Sequence, residues 1–200
     1  SGGGSIVWEE QLACFSNAEA ISLPGHPEGE ACDTVEAYAQ YLSHYLDQQE
    51  DSDVVLVGHS LGSAVVMQAA LMKHSALRGM ILIGAGARLK VFPALLESLS
   101  QAQESGAAIP DSVLFMNQRI ALPLRDKIDA CVYNNGPATL LNDLKACDKF
   151  DVMTKLSSLT LPSLIIVGDQ DQMTPLKYAE FLQTAIAGSA LAVIEDASHM

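Results

Sequence analysis

The sequence predicts an α/β fold: a mostly parallel sheet, helices on both faces, and a mostly helical insertion. Two observations lead there. Short apolar runs alternate with amphipathic helical stretches, and one long segment without a buried strand interrupts that alternation. A length of 200 residues suits one domain.

The elements follow in order. Ala20 to Leu23 reads as a short strand entering a Pro-Gly turn. Asp33 to Gln48 reads as a helix, because Val35, Tyr38, Ala39, Leu42, Tyr45 and Leu46 recur at helical spacing; Asp33 or Cys32 is its expected cap. Asp53 to Val57 is expected as a buried strand, Leu61 to Lys73 as a helix, and Gly79 to Ile83 as a second buried strand. Ser163 to Val167 is a third, Pro175 to Ile186 a helix with Pro in its first turn, and Ala190 to Ile194 the last strand. Between Gly86 and Leu159 the pattern turns helical (Leu89, Phe92, Leu95, Leu96, Leu99), and the stretch is too long for a plain connection. The expected layout is therefore a core in two parts, 1–86 and 160–200, around a helical cap at 87–159.

Composition narrows the function. Hydrophobic residues are 49% and charged residues 18%, enough apolar surface for a real core. No apolar run reaches the roughly 18–20 residues that span a bilayer. Net charge is −13, and residues 1–72 hold 11 acids with no Lys or Arg. So acidic a chain repels phosphates, which excludes nucleic acid and anionic membrane as partners. Cys14, Cys32, Cys131 and Cys147 form no CxxC and no metal-ligand spacing. They are expected as buried or semi-buried thiols of a cytoplasmic protein. The opening Ser1-Gly-Gly-Gly-Ser5 reads either as a flexible linker or as a Gly-rich loop.

The chemistry is concentrated in Val54-Val-Leu-Val-Gly58-His-Ser60-Leu-Gly62, a strand running through Gly-x-Ser-x-Gly into a helix. A nucleophilic Ser must stand proud at the carboxyl end of the sheet, so the chain must turn sharply there. Gly58 and Gly62 are expected to leave room for strand and helix backbones to approach. The Leu61 N–H, opening the helix, faces any oxyanion formed on a substrate. A Ser needs a base, and the base an orienting acid. Of five His, His59 reads as a packed core residue, His44 and His74 as surface residues and His26 as part of a turn. His199 follows the last strand, at the edge where catalytic groups of α/β sheets collect. The loop after Val167 offers two carboxylates, Asp169 and Asp171. Asp171 is preferred: it precedes His199 by 28 residues, room for one helix and one strand, and completes the order Ser60, Asp171, His199.

These residues resemble the α/β-hydrolase superfamily. The Gly58-His-Ser-Leu-Gly62 elbow, the Gly168-x-x-Asp171-x-x-Thr-Pro175 loop and the closing Ser198-His199-Met200 match its pattern in its order, and Leu23-Pro-Gly-His26 and Trp8 fit two further positions. Within it the chain is similar to the capped carboxylesterase-like branch, which includes methyl ester esterases and C–C bond hydrolases. The resemblance implies a cofactor-free, metal-free serine hydrolase cleaving a small-molecule carboxylic ester through an acyl-enzyme. It implies a second oxyanion donor at Ser1, beside Leu61. It implies an apolar acyl or alkyl pocket in the helical segment, with Leu89, Phe92, Leu95, Phe115, Met116 and Ile120 as candidate lining. It also implies that strands ahead of residue 1 and a helix beyond residue 200 belong to the complete fold. Two alternatives stay open: thioester or C–C cleavage on the same triad, and a hydrolase-fold ligand receptor that turns over slowly.

Overall fold

A computed structural model describes residues 1–49, 53–110 and 120–200. The chain divides into two compact units, on boundaries that differ from the expected ones. One comprises 1–33, 91–145 and Met200; the other comprises 34–90 and 146–199.

The second unit holds the sheet. Strands β1 (Val54–His59), β2 (Leu77–Ile83), β3 (Ser163–Gly168) and β4 (Ala190–Ile194) pair in parallel in the order β1-β2-β3-β4. Because all four run the same way, their carboxyl ends share one edge, with His59 level with Ile83 and Gly168 level with Ile194. Helix α3 (Leu61–Met72) joins β1 to β2 and packs on both; α6 (Leu176–Ala185) joins β3 to β4 and packs on both. Helix α3 is apolar on nearly every side, with Leu61, Ala64, Val65, Val66, Met67, Ala69 and Ala70 all buried. It is covered in turn by α2 (Val35–Asp47), whose buried Val35, Tyr38, Ala39, Leu42 and Leu46 form the predicted stripe.

Three expectations for this unit need correction. Helix α2 is capped by Thr34, not by Asp33 or Cys32: the Thr34 side chain accepts the Ala37 N–H at 3.2 Å. Strand β1 is not buried throughout. Leu56 is 8% exposed but Val55 and Val57 are 53% and 43% exposed, because side chains alternate across a strand and α3 packs on the face that Leu56 shares with Gly58. Pro175 stands just ahead of α6 as its N-cap rather than inside the first turn.

The first unit is helical among its described residues: a 3-10 turn (Ser5–Trp8), α1 (Glu9–Cys14), α4 (Pro93–Ser105) and most of α5 (Leu122–Lys149). Helix α5 breaks at Gly136, where φ is +81° and Pro137 follows. Its core is Leu99, Ile109, Ile128, Val132, Leu140, Leu141 and Leu144. Ala20–Leu23 is not a strand. Four residues of extended chain become a strand only by pairing with a ladder, and this unit offers none among its described residues. The Gly-rich start is not a free linker either. Asn135 Nδ2 donates to the Gly2 and Gly3 carbonyls at 2.8 and 3.0 Å, and the Gly2 N–H donates to the buried Asp143 carboxylate at 2.6 Å. His26 sits in the expected turn, its N–H donating to the Leu23 carbonyl at 3.1 Å, and it is buried, its Nε2 bonding the same carboxylate at Oδ2 at 3.0 Å.

All four cysteines are free thiols; Cys147 is buried and Cys32 and Cys131 half-buried, but Cys14, on the short α1, is exposed against expectation. Among the described residues, no helix is long and apolar enough to cross a membrane.

Candidate active site

The site is assembled from the loops leaving the carboxyl ends of the strands. At the end of β1 the chain reverses into α3 through Ser60, which sits at φ +55° and ψ −117°. A non-Gly residue there is strained, and the turn is held by backbone bonds on both sides. The Ser60 N–H donates to the Ile83 carbonyl at 2.9 Å, and the Ser60 carbonyl accepts from the Ser63 hydroxyl at 2.6 Å and the Ser63 N–H at 2.9 Å. Gly58 carries the close approach, since a Cβ on it would lie 2.2 Å from the Gly62 carbonyl oxygen. Gly62 does not carry it, contrary to expectation: a Cβ there would meet no described atom within 4 Å. The contact is made by the Gly62 backbone, which any residue possesses. Leu61 is the first residue of α3, so its N–H has no acceptor within the helix.

The candidate acid comes from the loop between β3 and α6. Asp171 is 5% exposed and its Oδ1 accepts the N–H groups of Met173 and Thr174, each at 2.8 Å. Its Oδ2 accepts the Thr174 hydroxyl at 2.8 Å and the His199 Nδ1–H at 2.8 Å. Burial by itself raises the Asp171 carboxyl. The hydrogen bond and charge of His199, with the Thr174 donors, outweigh burial and hold it below its ordinary value. Asp169 is exposed, and none of its described bonds reaches His199.

The candidate base comes from the loop after β4. That loop is tied to the acid loop: Asp169 N–H donates to the Ile194 carbonyl at 3.1 Å and Gln170 N–H to the Ala197 carbonyl at 2.9 Å. His199 is 6% exposed. With Nδ1 donating to an ionised carboxylate, the lone pair of the ring lies on Nε2. Nε2 is buried and makes no hydrogen bond to any described group, so the Ser60 hydroxyl is not bonded to it in this structure. What links elbow and base is His59, whose Nε2–H donates to the His199 carbonyl at 2.7 Å.

Of the residues singled out from sequence, Ser60, Leu61, Asp171 and His199 thus fall in one unit, on loops at one sheet edge. Ser1 belongs to the other unit. Leu89 is buried in the sheet unit. Leu95 and Ile120 pack against the helical core, and Phe92, just before α4, is 83% exposed. Phe115 and Met116 lie outside the described residues. Thr174 is the partner of the acid that sequence reasoning misses. Its position three residues after Asp171, just before Pro175, is the signal that could have found it, since a Ser or Thr there can close a turn onto the carboxylate.

With fold and geometry in place, the comparisons are specific. The alpha/beta hydrolase family is matched over residues 1–200, and the chain belongs to that family. The chain is similar to the pimeloyl-[acyl-carrier protein] methyl ester esterase of Neisseria meningitidis serogroup A, 28% identical over 196 residues. That match takes in 90% of this chain and 61% of the relative, so the chain spans less than two thirds of that protein's length. It is 24% identical to the putative carbamate hydrolase RutD of Pseudomonas savastanoi pv. phaseolicola over 218 residues, covering 99% of this chain and 83% of the relative. Among solved structures, a thermophilic esterase superposes with a TM-score of 0.79 at 34% identity, covering 100% of this chain and 79% of that one.

Proposed function

We propose that this chain carries the catalytic centre of a serine hydrolase that cleaves small carboxylic esters. The observation that carries the reading is the pair Asp171–His199, bonded at 2.8 Å with the opposite ring nitrogen buried and unbonded, together with a strained Ser at a strand-to-helix elbow.

In this reading Ser60 Oγ attacks the ester carbonyl while His199 Nε2 takes its proton. Asp171 holds the ring and offsets the charge of the imidazolium. The Leu61 N–H receives the developing oxyanion. The imidazolium returns its proton to the leaving alcohol, leaving an acyl-Ser60. A water, deprotonated by His199, then attacks that acyl group and frees the acid and the Ser60 hydroxyl. A preference for an apolar acyl or alkyl part is expected, with Leu89, Phe92, Leu95, Phe115, Met116 and Ile120 as first targets for substitution. The free thiols fit a reducing, cytoplasmic location.

A fluorophosphonate probe should label the wild type and not Ser60→Ala, and equal labelling of both sinks the nucleophile. His199→Ala and Asp171→Asn should each lower kcat on p-nitrophenyl esters by about 10³–10⁴-fold. A chain-length series from acetate to decanoate reads out the acyl preference. Labelling without turnover of any ester or thioester would favour a receptor.

A further inference from the structure

Three loops meet around one imidazole, and two of them contribute residues that the mechanism above does not use. His59 ends β1, Gly84 follows β2 and His199 lies beyond β4. We propose that His59 is a positioning residue that holds His199 by its backbone, and that Gly84 is the space in which both rings sit. The inference rests on the reading of Ser60, Asp171 and His199 as the triad.

The tie is a short hydrogen bond of fixed polarity. A carbonyl only accepts, so the proton of neutral His59 lies on Nε2, which reaches the His199 oxygen at 2.7 Å. The two rings are 4.9 Å apart between centroids and inclined by 47°. His199 stands in a loop whose other described backbone ties, at Ile194 and Ala197, come before it in the chain. The bond from His59 is thus the only described one that grips the backbone of the base itself. Its donor is the side chain of the residue next to Ser60, so the bond ties the elbow to the base.

Burial, and then the neighbouring His199, push the His59 imidazole down to about 3. His59 therefore stays neutral wherever the enzyme works. That matters because His199 must become an imidazolium during acylation, and a second positive ring 4.9 Å away would oppose it. Gly84 adopts φ +53°, a region that side chains rarely take. A Cβ there would lie 3.0 Å from His199 Cε1, 3.2 Å from His199 Nδ1 and 3.3 Å from His59 Nε2. Any side chain at 84 would press on the bond to Asp171 and the bond from His59 at once.

The test compares His59→Leu, His59→Gln, Gly84→Ala and His199→Ala with the wild type. kcat and KM are measured on a p-nitrophenyl ester, with sites counted by fluorophosphonate titration and folding followed by calorimetry. His59→Leu should lower kcat per titrated site by about 10–100-fold, the scale of a base misplaced by an ångström, with KM within about threefold. His59→Gln, which keeps an N–H donor, should recover most of that loss. Gly84→Ala should lower kcat by a similar factor. The proposal is overturned if His59→Leu keeps wild-type kcat per site whatever its melting temperature, if His59→Gln is as impaired as His59→Leu, or if Gly84→Ala is fully active. His199→Ala separates the two levels: an active His199→Ala removes the triad reading itself, whereas an inactive one beside a normal His59→Leu removes only the role of His59.

Discussion

At the scale of single residues, the site depends on one carboxylate kept ionised in a buried place. Asp171 accepts four hydrogen bonds, and these hold its carboxyl below the ordinary value despite burial. A carboxyl whose folded value is depressed adds stability that is complete above its unfolded value of about 3.9 and is lost as pH falls through the folded value. The melting temperature of the wild type should therefore drop steeply below about pH 4. Asp171→Asn, which cannot titrate, should lose less between pH 6 and pH 3. Calorimetry at the two values checks this, and parallel losses in both proteins would show that Asp171 is not the group responsible. Order and spacing single out Asp171 over Asp169, but they do not show its four partners. Those partners depend on how the loop folds back on itself, which spacing alone does not encode.

At the scale of elements, the strands and helices of the sheet unit were readable because each carries a strong local pattern. The stripe of α2 is the clearest case, and β2, β3 and β4 fall within a few residues of their expected bounds. The failures were at boundaries. Thr34, Asp33 and Cys32 all precede the stripe, and only the backbone angle at Thr34, φ −140° and ψ 149°, brings its hydroxyl onto the Ala37 N–H. Thr34→Ala should destabilise the protein by about 1 kcal/mol, seen as a lower denaturant midpoint with an unchanged slope. No change at all would mean that water replaces the cap without cost. Ala20–Leu23 failed for another reason: its composition suits a strand, but strand formation is a property of the pair.

At the scale of the whole molecule, the chain divides into a parallel sheet unit and a helical unit, and the N-terminal segment is built into the helical one. Its anchor is Asp143, fully buried, which binds the Gly2 N–H and His26 Nε2. Thr139 adds a bond to the Gly25 carbonyl at 3.1 Å. Removing Asp143 takes away the buried acceptor of the Gly2 N–H and the bond to His26, so Asp143→Ala should cost about 1–3 kcal/mol. Thermal unfolding monitored by circular dichroism tests that magnitude, and a loss below about 1 kcal/mol would show that the pair is dispensable. His26 lies in the turn that the sequence predicts, and what the local sequence does not show is its buried partner Asp143, 117 residues away.

The sequence by itself determined the alternation of strand and helix, the elbow at Ser60, the order of Ser60, Asp171 and His199, and the acidic character of the chain. All of these are local patterns or simple spacings, and neighbouring residues dictate them. Only the tertiary structure decided that the His59 side chain donates to the His199 carbonyl, and that Gly84 rather than a side chain lies beneath the two rings. Each depends on groups far apart in the chain coming within a few ångströms, and that proximity is set by the packing of the whole sheet.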